Sequence, residues 1–169
     1  MNYEFIYVST DNYELRYTAK DGTKKVLPFK RTIEMSKRLQ GIHAEGRLKM
    51  YHELTAQGMT KNDLIIKKTN ADGTITYDET NYKEFENNYI SIASASILND
   101  IINLCFHMSV EDLLTDMGIN VNANDKDTVN KITLFTKKFT SVIIGKDDQQ
   151  SVTPSIAHQE PISGNTPSE

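Results

Sequence analysis

The chain has 169 residues, of which 38% are hydrophobic and 25% charged, with a net charge of −4 and a pI near 5.6. That length favours one domain, and a body of about 145 residues would bury roughly 68–70% of its unfolded surface, so neither disulfide nor metal is needed to hold it. One cysteine, Cys105, excludes an internal disulfide framework, and its apolar surroundings (Ile101, Ile102, Leu104, Phe106) make a small core side chain the expectation.

The charge is unevenly placed. Residues 1–23 carry net −2, residues 24–68 net +7 and residues 69–169 net −9. Such asymmetry either orients an acidic partner or makes the two regions face each other in the fold. The N-terminus, MNYEFIYVST, has no cationic region followed by a long apolar core. No stretch approaches the ~20 apolar residues of a membrane span. A cytoplasmic protein with no membrane partner is expected.

The first segment reads as strands. Tyr3, Phe5 and Tyr7 alternate with Glu4, Ile6 and Val8, and aromatic and β-branched side chains suit a pleated surface. Thr10 to Asn12 is a turn, Glu14 to Thr18 alternates again, and Asp21-Gly22 is a hairpin signal because both residues tolerate positive φ. Lys25 to Leu27 completes a small antiparallel meander, which Pro28 should end.

Helical spacing follows. Ile33, Met35, Leu39, Ile42, Met50, Tyr51 and Leu54 fall mostly on steps of three and four. Gly41 and Gly46 interrupt the run, each costing about 1 kcal/mol against alanine, and mark a bend or a close backbone approach. Gly58 is a C-terminal stop. Asp63 to Lys68 reads as a short strand, Asn70 to Gly73 as a turn and Thr74 to Tyr77 as the returning strand. Asp78 should cap the next helix.

That helix, Glu79 to Met108, is the longest, and from Ile97 onward it is apolar on nearly every side, so its second half should be the centre of the core. Ser109 with Asp112 opens a short helix in capping-box fashion, ending near Gly118. Val129, Ile132, Phe135, Phe139, Val142 and Ile143 line one face of a last helix that stops at Gly145. Residues 146–169 hold three of the four prolines and no aromatic residue, and read as a disordered polar tail. The expected fold is therefore α+β: a mainly helical domain over residues 1–145, with an N-terminal antiparallel meander and an inserted β-hairpin.

No catalytic motif is present: no GxGxxG, P-loop, GxSxG or CxxC. His43, His52, His107 and His158 lack partners at zinc spacing. With Gly73 at the sixth position of an EF-hand loop, Asn70, Asp72 and Glu79 fall on ligand positions, but the first position is Lys68, whose fixed cation opposes a metal. No catalytic residue, metal site or cofactor is expected. Lys30, Arg31, Lys37, Arg38, Arg47 and Lys49 form a basic helical region, yet the pI and the missing motifs argue against nucleic acid. Five internal methionines supply adaptable apolar surface.

The runs FKRTIEMSKRLQGIHAEGRLKMYHELTAQGMTKNDLI, DGTITYDETNYKEFENNY and LNDIINLCFHMSVEDLL follow one another between Phe29 and Met117. In segment order and texture this part of the chain resembles the tail assembly chaperones of long-tailed phages and prophages of Gram-positive bacteria. The resemblance implies a cytoplasmic protein that keeps the tape-measure protein soluble during tail morphogenesis, without catalysis. It also implies contact with the tail tube protein, and self-association along the client. The expected partner-binding face is Arg31, Met35, Arg38, Leu39, Arg47 and Met50. The alternatives are a structural tail or neck component, or a small intracellular regulator that binds nucleic acid or protein.

Overall fold

The computed structural model describes residues 3–123 and 125–145. Strands β1 (Tyr3–Ser9), β2 (Asn12–Thr18) and β3 (Lys24–Lys30) form an antiparallel sheet in the order β1-β2-β3. Register pairs Phe5 with Leu15 and Leu15 with Leu27, so Tyr3, Phe5, Tyr13, Leu15, Tyr17, Leu27 and Phe29 share one face. Glu4, Glu14, Arg16, Lys24 and Val26 take the other, which meets solvent. Period-two alternation thus becomes a one-sided sheet with an aromatic inner face.

Pro28 does not end the third strand. It lies inside β3, opposite Glu14. β3 is an edge strand, and an edge tolerates proline where its nitrogen faces away from the neighbouring strand.

The helices are α1 (Ile33–Gln40), α2 (Ile42–Ala56), α3 (Thr80–Phe106), α4 (Val110–Asp116) and α5 (Lys126–Ile144). Thr32 caps α1 by accepting from Met35 N–H, Ser109 caps α4 by accepting from Asp112 N–H, and Asp125 caps α5 by accepting from Thr128 N–H. Such a cap satisfies an otherwise orphaned donor and is worth about 1 kcal/mol. Gly145, at φ 82°, ends α5 in the left-handed conformation that favours glycine. His107 closes α3 in the same region, at φ 56°, its N–H donating to Asn103 O.

The second half of α3 is the centre of the main core. Ile97, Leu98, Ile101, Ile102, Cys105 and Phe106 are buried against the sheet, α1, α4 and α5. Phe29 and Phe106 meet edge to face at 5.1 Å, and Phe135 and Phe139 stack one turn apart on α5. Each fully buried side chain of this size contributes about 1.5–3 kcal/mol. By length and composition, α3 is apolar enough to cross a membrane, with a window of mean hydropathy 1.4, contrary to the sequence expectation. Many of its apolar side chains are those already packed in the core.

Three local boundaries differ from the sequence pattern. The segment expected to begin a strand at Asp63 is a single 3-10 turn, Lys61–Leu64, in which Thr60 and Asp63 cap one another, and strand β4 is Ile66–Thr69. Its partner β5 is Ile75–Asp78. Asp78 is not the N-cap of α3; that position is Glu79, and the Asp78 carboxylate accepts from Thr80 N–H and Oγ1 just inside the helix. On α5, Val129 is half exposed while Thr128 turns inward, because the buried stripe is centred on Phe135 and Phe139. The tail expected over 146–169 lies outside the described residues.

Helices α2 and α3 lie antiparallel and form an arm. A second, smaller cluster holds it: Met50 and Leu54 of α2 with Tyr82 of α3, edged by Met59, Leu64, Ile65, Phe85 and Tyr89. The β4–β5 hairpin stands at the arm's end and packs closely on no other element. Residues 66–77 are all exposed.

Candidate partner-binding surfaces

The six residues expected to form one contact face do not form one. Met35 and Leu39 are buried in the main core and Met50 is wholly buried in the second cluster. A helical stripe looks the same in sequence whether it faces core or partner, and here it faces core. The three arginines are engaged. Arg31 lies 2.9 Å from Asp11 and over the Tyr13 ring, Arg38 lies 2.6 Å from Asp100, and Arg47 lies 2.7 Å from Glu86.

These contacts also resolve the charge asymmetry. Lys25–Asp116, Arg38–Asp100, Arg47–Glu86, Lys61–Glu79 and Lys68–Asp78 each join the basic region 24–68 to the acidic region beyond it. Much of the charge is matched within the molecule. Exposed pairs of this kind contribute little stability singly, but they orient the arm.

What the fold does leave open is a groove between the α1–α2 corner, the middle of α3 and the first half of α5, of about 860 Å³. Ser91, Ser94, Ala95 and Leu98 form its floor on α3. Leu39, Ile42 and His43 form one wall, and Ile132, Thr133 and Thr136 the other. Asn99 closes the end, its Oδ1 accepting from Val110 N–H at 3.1 Å. The α3 side runs from Ile90 to Asn99, about 14 Å at 1.5 Å per residue. Between Glu86 and Asp100 the helix carries no charge at all. Small side chains on the floor let another backbone come close, and the hydroxyls can satisfy polar groups there. Exposed Ile92 and Val129 lie on the same two helices near this stretch.

The groove was not legible in the sequence because its two walls come from segments about 90 residues apart, with the floor between them in the chain. The one available signal was the uncharged run Asn87 to Asn99, with serines and alanines where a solvated face would carry Lys or Glu.

The remaining polar clusters bind the fold to itself. Asp116, at the end of α4, accepts from the Tyr17 hydroxyl and, at 2.8 Å, from Lys25 Nζ, tying α4 to the sheet. Hydrogen bonds from Lys25 and Tyr17 hold its carboxyl below the usual range. Burial, then the Asp116 bond, push the Tyr17 hydroxyl up. In the arm, a hydrogen bond with Tyr51 and burial push Tyr82 up to about 12, with Lys61 Nζ 4.5 Å from its ring. Burial pushes the Cys105 thiol up to about 12. In the segment that approximates an EF-hand loop, Lys68 pairs with Asp78 at 2.7 Å, and Asn70 and Asp72 hydrogen-bond Thr74. Those side chains shape a β-hairpin turn. Among the described residues, no group of three or more His, Cys, Asp or Glu is placed to hold a metal ion.

Comparison of the chain with protein families, curated proteins and solved structures finds no match.

Proposed function

We propose that this chain is a phage tail assembly chaperone, a non-catalytic binding protein that shields the helices of the tape-measure protein until the tail tube forms around them. The observation that carries the reading is the uncharged groove of Ser91, Ser94, Ala95, Ile132, Thr133 and Thr136. A groove about two and a half helical turns long, apolar and floored by small residues, suits the apolar face of an amphipathic client helix. Its lining carries no Asp, Glu, Lys or Arg, which suits contact with an apolar helix face. The resemblance over Phe29 to Met117 supplies the client class.

The test is co-expression with a tape-measure protein of a long-tailed phage or prophage of Gram-positive bacteria. The expected result is a soluble complex that Ala95→Arg abolishes while the circular dichroism spectrum of the variant stays unchanged. Ala95 is exposed, so the substitution fills the groove without disturbing the core. A client that stays insoluble with the unmodified chain, or is solubilised equally by the Ala95→Arg variant, overturns the reading. Mass spectrometry separates it from the structural alternative: a chaperone is absent from mature virions.

A further inference from the structure

The β4–β5 hairpin is a two-stranded sheet on which, among the described residues, no other element packs closely, and isolated hairpins are marginal in water. Its two outer edges differ. β4 carries Lys67 and Lys68, the kind of charge that blocks edge pairing. β5 carries Ile75, Thr76 and Tyr77, with Ile75 49% and Tyr77 66% exposed. Its single charge, Asp78, is matched by Lys68 of its own hairpin at 2.7 Å.

Asn70 N–H donates to Thr74 O at 2.8 Å, which sets the phase of the ladder. Hydrogen-bonded pairs then fall at Lys68–Thr76 and Ile66–Asp78, and non-bonded pairs at Thr69–Ile75 and Lys67–Tyr77. The backbone groups of Ile75 and Tyr77 therefore point out of the free edge.

We propose that β5 pairs antiparallel with β5 of a second copy, about a twofold axis through Thr76, giving a four-stranded sheet β4-β5-β5-β4. In that register Ile75 of each copy lies opposite Tyr77 of the other, and each such pair exchanges both its backbone hydrogen bonds. It is also a β-branched residue beside an aromatic one on the same face, a stabilising cross-strand combination. Thr76 meets Thr76, again a favourable pair. The competing β4–β4 arrangement brings lysines together and is disfavoured by charge. Four residues per copy bury far less than the ~1,200 Å² of a stable interface, so the association is weak and concentration-dependent. It stands independently of the client reading.

Sedimentation velocity of the full chain over a wide concentration range should show a reversible shift from monomer to dimer. Ile75→Pro should abolish it, because the proline removes an outward donor and no β4–β5 bond. Circular dichroism of that variant should be unchanged. Thr76→Cys provides a second, positional test. Across the twofold the two Cα atoms would stand at about 4.5 Å, within disulfide reach, and the native Cys105 is buried. Thr76→Cys should give a disulfide dimer on mild oxidation, whereas Lys67→Cys on the opposite edge should not. A chain that stays monomeric throughout with Thr76→Cys uncrosslinked overturns the proposal. So does a dimer that survives Ile75→Pro, or crosslinking as efficient from position 67 as from 76.

Discussion

A Cβ placed on Gly46 would lie 2.6 Å from the Cα of Ile90, so α2 and α3 touch backbone to backbone at that point. No side chain fits between them. Gly46→Ala must therefore push the arm helices apart, and overpacking of this kind costs about 1–3 kcal/mol. Gly41 is different. It sits at φ −79° between α1 and α2, and an added Cβ would meet only ordinary contacts, at 3.4 and 3.5 Å. Gly41→Ala should be neutral or stabilise slightly, by about 0.4–1 kcal/mol, through the reduced freedom of the unfolded chain. Urea unfolding of the two variants separates the roles; equal effects would remove the close-approach explanation.

Asp116 supplies a pH-dependent prediction. Its folded pKa is depressed, so its contribution is complete above the unfolded value of about 3.9 and is lost as pH falls through the lower folded value. Asp116→Asn should destabilise the protein at neutral pH by about 1 kcal/mol, a figure kept small because the carboxylate is partly exposed. In acid, below the folded pKa, the two proteins should converge. Denaturation midpoints at both pH values check this, and a difference that persists in acid would mean the aspartate acts by shape and not by charge.

Where local rules decide structure, the sequence was readable. The alternation of Tyr3, Phe5 and Tyr7, the Asp21-Gly22 turn, the Ser109 cap and the stop at Gly145 depend only on near neighbours, and all stand in the fold. Gly41 and Gly46 carried two meanings, a bend and a close approach, and each glycine took one. Pro28 was misread because whether a strand lies at an edge is a property of the sheet. The Met35–Leu39–Met50 stripe was misread because periodicity reveals a face and not what it faces. The groove depends on how α3 and α5 lie together, which no local pattern encodes.

Cys105 is a built-in reporter. It is buried in the main core with its thiol pushed up to about 12, and the thiolate is the reactive form. Native protein should resist thiol reagents at neutral pH, and labelling should proceed only as fast as the main core opens. Rapid stoichiometric labelling of native protein would place Cys105 outside the core.

The two hydrophobic clusters differ in size, and the smaller should open first. Met50, Leu54 and Tyr82 hold the arm with few buried neighbours, whereas Phe135 and Phe139 sit in a core drawn from the sheet and four helices. Local stability follows the number of buried contacts. Amides of Met50 and Leu54 should therefore exchange with solvent before those of Ile101 and Phe139. Met50→Ala, which leaves a cavity, should cost about 2–5 kcal/mol, with the loss concentrated in arm amides and little change in the rate of Cys105 labelling. Phe139→Ala should accelerate that labelling sharply. If Met50→Ala exposes Cys105 as readily as Phe139→Ala does, the arm and the body unfold as one unit.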